Sequence, residues 1–282
     1  RLLDAGLLPA SEPERVRRNV SACRPAPVSA KAGGPETARI ALTITTCKRV
    51  ELFERTVESF RRCCVDHERI AEWICIDDDS SREDRERMKA RFPFFTWAWK
   101  DERARGHAHS MNLVAELAAA GGFDYVLHLE DDCEFFETRA WIADALDVLA
   151  HEPDCGQVLF NRNYAELPDD RDIVGGIARQ TSNGVAYRLH VHDPAPVTQG
   201  RSCAWWPHYS LRPSLTRTEV FRRVGRFDPA AGHFELDYAR RYVQAGFRSA
   251  FLDTIGVKHI GKLTTEAGEN AYSLNRQVQF GE

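Results

Sequence analysis

Apolar positions along the chain repeat with two periods, and the switch between those periods marks out the elements. "RIALTITT" (39–46) is a strand-like run of β-branched and apolar residues. Residues 50–64 follow with Leu52, Phe53, Val57 and Phe60 on one side of a helix. The same order then recurs: "EWICID" (72–77) reads as a second strand, 81–91 as a charged helix, and "FTWAW" (95–99) as a third strand. Residues 107–120 read as a helix that stops at Gly121-Gly122. "DYVLHLE" (124–130) is a fourth strand, 137–151 a further helix and "GQVLFN" (156–161) a fifth strand. Such alternation predicts an α/β fold, a mostly parallel sheet with helices on both faces. The pattern then loosens. Residues 162–210 are polar, with Asn183-Gly184 suited to a hairpin turn. Helices are expected over 217–225 and 233–245, a short strand over 248–253, and "GVKHIGK" (256–262) closes the readable part. Upstream, residues 1–21 look helical and "ACRPAPVSAKAGGPETA" (22–38) reads as a linker, so the organised domain is expected to begin at Arg39.

Ligands of sheets of this kind sit at the carboxyl ends of the strands. That places "TTCKR" (45–49), "DDDSS" (77–81) and "EDDCE" (130–134) on one rim. In the last of these, an apolar strand runs into Glu130, Asp131 and Asp132. Mutual repulsion raises the cost of ionising each carboxyl. Either the cluster is a solvated loop or something positive sits against it. Oxygen-rich clusters suit Mg2+ or Mn2+, which keep open positions for a phosphate-bearing substrate. An aspartate after the second strand can accept a hydrogen bond from a base N–H or a ribose hydroxyl; the plain alternative is that Asp79 or Ser80 caps the next helix. Lys48 and Arg49 stand where they could face phosphate, or simply lie in a solvated loop.

The 282 residues are 43% apolar and 28% charged, ordinary for a soluble globular chain of one large domain or two small ones. A formal net charge of -4 gives no general pull toward nucleic acid or an anionic membrane, so no nucleic-acid partner is expected. No apolar run long enough to span a bilayer and no signal peptide are visible. Because the chain begins at Arg1, it reads as a piece of a longer protein whose missing segments could supply an anchor. Eight cysteines at irregular spacings, with no C-x-x-C pair, suggest reduced thiols and a cytoplasmic location, with membrane association through missing segments left open.

Taken together, Thr45-Thr46-Cys47-Lys48-Arg49, Asp77-Asp78-Asp79-Ser80 and Glu130-Asp131-Asp132, each closing a strand in this order, resemble the nucleotide-sugar glycosyltransferases of the GT-A fold. The resemblance spans about residues 39–262 and is closest to the large inverting family 2. It implies Asp132 as ligand to Mn2+ or Mg2+, Asp131 or Glu130 as ribose partner, and Asp78 as holder of the base, with Thr45, Thr46 and Arg49 beside the nucleotide sugar. "GHAHSMN" (106–112) resembles the family's segment ending in an Asn that borders the nucleotide, here Asn112, although His107 and His109 depart from its usual small residues. "HFELDYARRYVQAGFR" (233–248) resembles the acidic segment that opens a helix and carries the general base. Matching Asp237 and Arg241 to its later Asp and Arg puts Glu235 at the base position, with Asp237 as a rival. His259 would complete the metal site, and Lys258 and Lys262 would assist the diphosphate. "SCAWWPHYSLRPSLTRT" (202–218) is expected on the acceptor side, with Trp205 and Trp206 either stacking on sugar or buried in the core.

The implied activity is a metal-dependent, inverting transfer of a hexosyl or N-acetylhexosaminyl group. The donor would be a nucleoside-diphosphate sugar, UDP by preference, and the acceptor a hydroxyl of a glycan or other molecule. Residues 39–161 would form the nucleotide-sugar half and 162–282 the acceptor and catalytic half. An inverting displacement needs a carboxylate on the face opposite the leaving diphosphate. The alternatives are a catalytically inactive nucleotide-sugar-binding module and a retaining transferase, which needs no acceptor-side base. A nucleotidyltransferase is disfavoured because "TTCKRVELF" lacks a glycine-rich phosphate loop.

Overall fold

A computed structural model describes residues 37–100, 104–193 and 201–261. The helix and linker expected upstream, apart from residues 37 and 38, lie outside the described residues, as does Lys262.

The predicted alternation is present: β1 (Ile40–Thr46), α1 (Val50–Cys63), β2 (Ile70–Asp77), α2 (Arg82–Arg91), β3 (Phe95–Trp99), α3 (His107–Gly121) and β4 (Tyr125–Glu130). After these come β5 (Cys133–Phe135), α4 (Trp141–His151), β6 (Cys155–Leu159), β7 (Ile177–Gln180), β8 (Ala186–Leu189) and β9 (Ser214–Arg217). The described chain ends with α5 (Thr218–Val224), α6 (Phe234–Gln244), β10 (Arg248–Leu252) and β11 (Val257–His259). Nine strands form one sheet in the order β3-β2-β1-β4-β9-β6-β10-β8-β7, and β5 pairs with β11 in a second, two-stranded sheet. The pairs among β1 to β4 and the β6–β10 pair are parallel, whereas β9 runs antiparallel to both β4 and β6. Strand β9 comes from the second half of the chain and lies between two strands of the first, so both halves share one sheet.

Side chains of β1 alternate between two cores, as strand geometry requires. Ile40, Leu42 and Ile44 join Phe53 and Phe60 of α1 and Trp141 of α4. Ala41 joins Met111 of α3, Val220 of α5 and Tyr238 of α6. All seven positions of β1 are buried, as expected of a central strand covered on both faces. Each large apolar side chain buried in this way contributes about 1.5–3 kcal/mol. Helix α2 buries only Met88 and is held instead by Arg87 and Arg91 against Glu54 of α1. Its N-cap is Ser81, which accepts from the Asp84 amide at 3.0 Å, so neither Asp79 nor Ser80 caps it. Helix α3 ends at the expected glycines, with Gly122 in the left-handed region (φ 65) that a residue without Cβ adopts at little cost. The seven described cysteines are all buried, and none forms a disulfide.

Candidate active site

Strand register brings the three acidic and polar loops together. Thr46 lies opposite Asp77, and Thr45 opposite both Ile76 and Glu130. The loops after β1 and β2 are latched: the Lys48 amide donates to Ser80 Oγ at 2.9 Å, and Lys48 Nζ lies 3.6 Å from Asp79 Oδ2. Lys48 (φ 56) and Asp79 (φ 65) both hold left-handed backbone, a conformation that surrounding contacts must maintain in residues with a Cβ.

The positive partners of the carboxylate cluster are Arg49 and His259. Asp131 is wholly buried and accepts from Thr46 Oγ1 at 2.7 Å, from the Cys47 amide at 3.3 Å and from the Arg49 guanidinium. Both its oxygens are thus engaged within the rim itself. Arg49 also donates to Asp132 Oδ2 at 2.8 Å. A guanidinium held by two carboxylates braces the rim. His259 Nε2 lies 3.2 Å from the same Asp132 oxygen. The small second sheet delivers it: His259 pairs opposite Cys133, and the Ile260 amide donates to the Asp132 carbonyl at 2.8 Å.

This setting separates the three acids. Burial raises Glu130 well above the carboxyl range, and the negative Asp132 and Glu235 raise it further. Burial also raises Asp131, to about 6, against the pull of Arg49. Asp132 moves the other way: burial opposes ionisation, but the His259 hydrogen bond and Arg49 prevail and hold it at about 2. Asp132 is therefore the member of the cluster fixed as an anion.

Asp132 Oδ1 is buried without a hydrogen-bond partner. An unsatisfied buried carboxylate oxygen beside an imidazole nitrogen suits a divalent cation such as Mn2+ or Mg2+. Among the described residues no group of three or more His, Cys, Asp or Glu side chains is arranged to hold a metal. The chain would then supply two donors and leave the other coordination positions to substrate oxygens and water, as such ions commonly require. Gly261 gives this carboxylate its room, since a Cβ there would stand 2.4 Å from Asp132 Oδ2.

At the other end of the rim, Asp78 is nearly buried. The Gly106 amide donates to its Oδ2 at 2.9 Å, and Lys100 Nζ lies 3.0 Å from its Oδ1. Lys100 also donates to the Gly106 carbonyl and to Ser110 Oγ, both at 2.8 Å. Lys100 follows β3 directly, so the rim rule applied to the third strand would have found it. His107, in the first turn of α3, is lowered to about 4 by burial and by Lys100; its Nε2 lies 3.8 Å from Glu130 Oε1, and its ring meets Phe234 edge-on at 5.4 Å. Asn112 is buried and bound at both ends of its amide. Its amide nitrogen donates to the Phe227 carbonyl at 2.9 Å and its oxygen accepts from the Phe227 amide at 2.8 Å, so both ends tie α3 to the loop before α6.

Glu235 is the second residue of α6. Ser210 Oγ and the Leu211 amide both donate to its Oε1 at 3.0 Å. Asp237, the rival, is bound by Arg241 one turn along the helix, at 2.9 and 2.7 Å. His233 caps the helix by accepting from the Leu236 amide at 3.3 Å. Trp206 is partly buried and donates to the Tyr209 carbonyl, whereas Trp205 is 55% exposed. Lys258 is paired with Glu134 at 2.7 Å.

No protein-family model and no curated protein matches the sequence. Solved structures do. A mannosyltransferase from Pyrobaculum calidifontis, in complex with GDP-Man and Mn2+, matches with TM-score 0.54 at 17% identity over 89% of this chain and 64% of that one. GalNAc-T7, solved with UDP, GalNAc and Mn2+, matches with TM-score 0.54 at 17% identity over 82% of this chain and 45% of that one. TarS from S. aureus (1-349) matches with TM-score 0.53 at 11% identity over 78% and 59%. The fold is GT-A. The chain spans 64% or less of the length of these proteins, and at such identities the likeness is one of fold.

Within this GT-A frame the rim collects Thr46, Asp78, Glu130, Asp131, Asp132 and His259, and Glu235 is close enough for its charge to be felt at Glu130. Besides Lys100, sequence reasoning passed over Glu166 and Ser210. Glu166 accepts the His259 amide through its carbonyl at 2.8 Å, and Ser210 orients Glu235. Both lie in segments without regular periodicity, where no pattern points to them.

Proposed function

We propose that the chain is a metal-dependent, inverting glycosyltransferase that moves a sugar from a nucleoside-diphosphate donor to an acceptor hydroxyl. The observation that carries this reading is the Asp132–His259 pair, 3.2 Å apart at the end of β4, with a buried Asp132 oxygen left over. Asp132 and His259 would hold Mn2+ or Mg2+, which supplies Lewis-acid stabilisation of the departing diphosphate. Arg49 keeps Asp132 ionised and aligned. Asp78 receives an N–H of the base, and Glu130 a ribose hydroxyl, with Thr45 and Thr46 lining the floor beside them. Glu235 takes the proton of the acceptor hydroxyl as that oxygen attacks the anomeric carbon from the face opposite the diphosphate. Both hydrogen bonds to Glu235 fall on Oε1, which leaves Oε2 for the proton. The pairing of partly exposed Asp237 with Arg241 favours Glu235 as the base. The family resemblance favours UDP.

A thermal-shift panel of UDP-, GDP- and dTDP-sugars with and without Mn2+ tests the reading. Ligand at a hundred times its Kd stabilises by about 2.7 kcal/mol, a readily measured shift. A Mn2+-dependent shift with one donor class, lost in Asp132→Ala, is expected. No shift with any donor in Mn2+ overturns the reading; binding without transfer to any acceptor would make the chain a nucleotide-sugar-binding module.

A further inference from the structure

A cavity opens beside the Asp132–His259 pair, on the side away from Asp78. The centres of water-sized occupants range over ≈ 80 Å³ within it. That is room for several waters, and too small for a chain of sugars. Leu159 and Val257 contribute apolar surface to it.

Polar groups lining the cavity fall into two sets. Asn161 is spent on the scaffold: its amide nitrogen donates to the carbonyls of Ala165 and Val257, and its oxygen accepts from the amides of Gly256 and Val257. The Tyr164 hydroxyl is likewise spent on the His208 carbonyl. The second set is Glu130, His259, Glu166 and Arg212. Glu166 and Arg212 form an ion pair with each other, and their side chains keep 28% and 33% exposure. The Arg212 guanidinium also lies 5.8 Å from the Tyr164 ring centroid, a contact that steadies it. The pair therefore offers fixed donors and a fixed acceptor side by side.

Position relative to the reacting groups is set by the chain itself. Ser210 and Leu211 hold Glu235, and Arg212 is the next residue. On the other flank, the Glu166 carbonyl accepts the His259 amide. The cavity is thus flanked by His259 on one side and by the segment that fastens Glu235 on the other, the place the transferred sugar would take.

We propose that the Glu166–Arg212 pair is the specificity-determining element for the donor sugar. Arg212 donates to one ring hydroxyl and Glu166 accepts from its neighbour, so the pair reads the configuration of a vicinal diol. This inference rests on the function proposed above.

Isothermal titration in saturating Mn2+ tests it. UDP and GDP are compared with UDP-glucose, UDP-galactose, their N-acetylhexosamine counterparts and GDP-mannose, for the wild-type chain, Arg212→Lys and Glu166→Gln. The readout is the affinity gained when the sugar is added to the nucleotide. In the wild type, one configuration at the diol is expected to gain most. Each variant is expected to lose about tenfold of that gain, with the preference between 4-epimers narrowed and the affinity for the bare nucleotide within twofold of wild type. An unchanged gain in both variants overturns the inference while leaving the proposed function intact. Parallel loss of nucleotide and nucleotide-sugar affinity also overturns it, because the pair would then serve the diphosphate or the scaffold. A wild-type chain that binds neither nucleotide removes the proposed function and this inference together.

Discussion

Substituting Gly261 by alanine tests the candidate metal site without removing any of its ligands. The added Cβ would stand 2.4 Å from Asp132 Oδ2, 2.9 Å from Asp132 Cβ and 3.0 Å from its Cγ, whereas ordinary contact begins near 3.4 Å. The oxygen must therefore retreat by about 1 Å. Rotating the carboxylate relieves its oxygen but not the clash with Asp132 Cβ, so backbone has to shift as well. The Ile260 amide resists that shift by donating to the Asp132 carbonyl at 2.8 Å. Overpacking of this kind costs about 1–3 kcal/mol, and a carboxylate drawn off its position loses part of its alignment with His259 and Arg49. Mutations that disturb the support of a metal ligand weaken metal binding by about 10- to 100-fold. The assay is a titration of Mn2+ into chain plus UDP, read beside thermal denaturation without metal. A Gly261→Ala chain that binds Mn2+ and UDP as tightly as wild type would refute the reasoning that Gly261 sets the place of a metal-holding carboxylate, and an Asp132→Ala chain that binds them as tightly would refute the assignment of Asp132 as the ligand.

Glu235→Gln, which keeps an oxygen for Ser210 and Leu211, is expected to lower kcat by about 10²–10⁴-fold, whereas Asp237→Asn, which loosens a partly exposed i,i+4 pair, changes kcat by less than about threefold; equal losses would move the base to Asp237. Asn112→Ala strands the Phe227 amide and carbonyl, and equilibrium unfolding is expected to show a loss of about 2–4 kcal/mol; a loss below about 0.5 kcal/mol contradicts the tie. Burial, with nearby His107 adding to it, depresses buried His128 from 6.5 to about 3. The unfolded chain therefore binds one more proton than the native chain between those values, and stability falls as pH drops below 6.5, by about 1.4 kcal/mol per unit for this group. Asp131, raised from 3.8 to about 6, works in the opposite direction over that narrower interval, so His128→Gln measured in denaturant between pH 7 and 5 isolates the histidine: its slope against pH should be shallower than wild type by about one proton.

Much of the scaffold was legible because its signals are local. β1, α1, β3 and β4 begin and end within a residue or two of the expected bounds, and the Asn183-Gly184 turn joins β7 to β8. β5 and β9 were not foreseen: three and four residues are too few to show a period, and β9 is hidden in a basic, aromatic stretch. Within the site, strand ends alone placed Glu130, Asp131 and Asp132 on the rim, and the expectation for His259 came from the family resemblance. Partnerships that depend on side-chain direction stayed out of reach. Arg49 looked like a phosphate contact but turns toward Asp131 and Asp132, and Asn112 fits a motif while its amide is claimed by Phe227 from a remote loop.

Strand β9 sets the distance between Glu235 and the acid cluster. Its first residue, Ser214, pairs with His128 of β4 on one side and Leu159 of β6 on the other, and the four residues just before it fasten Glu235 and supply Arg212. Main-chain ladders thus help gauge how far Glu235 stands from the acid cluster. Exchanging Arg212 alone within the stretch ahead of that strand would alter the cavity wall yet leave the two bonds that hold Glu235 in place.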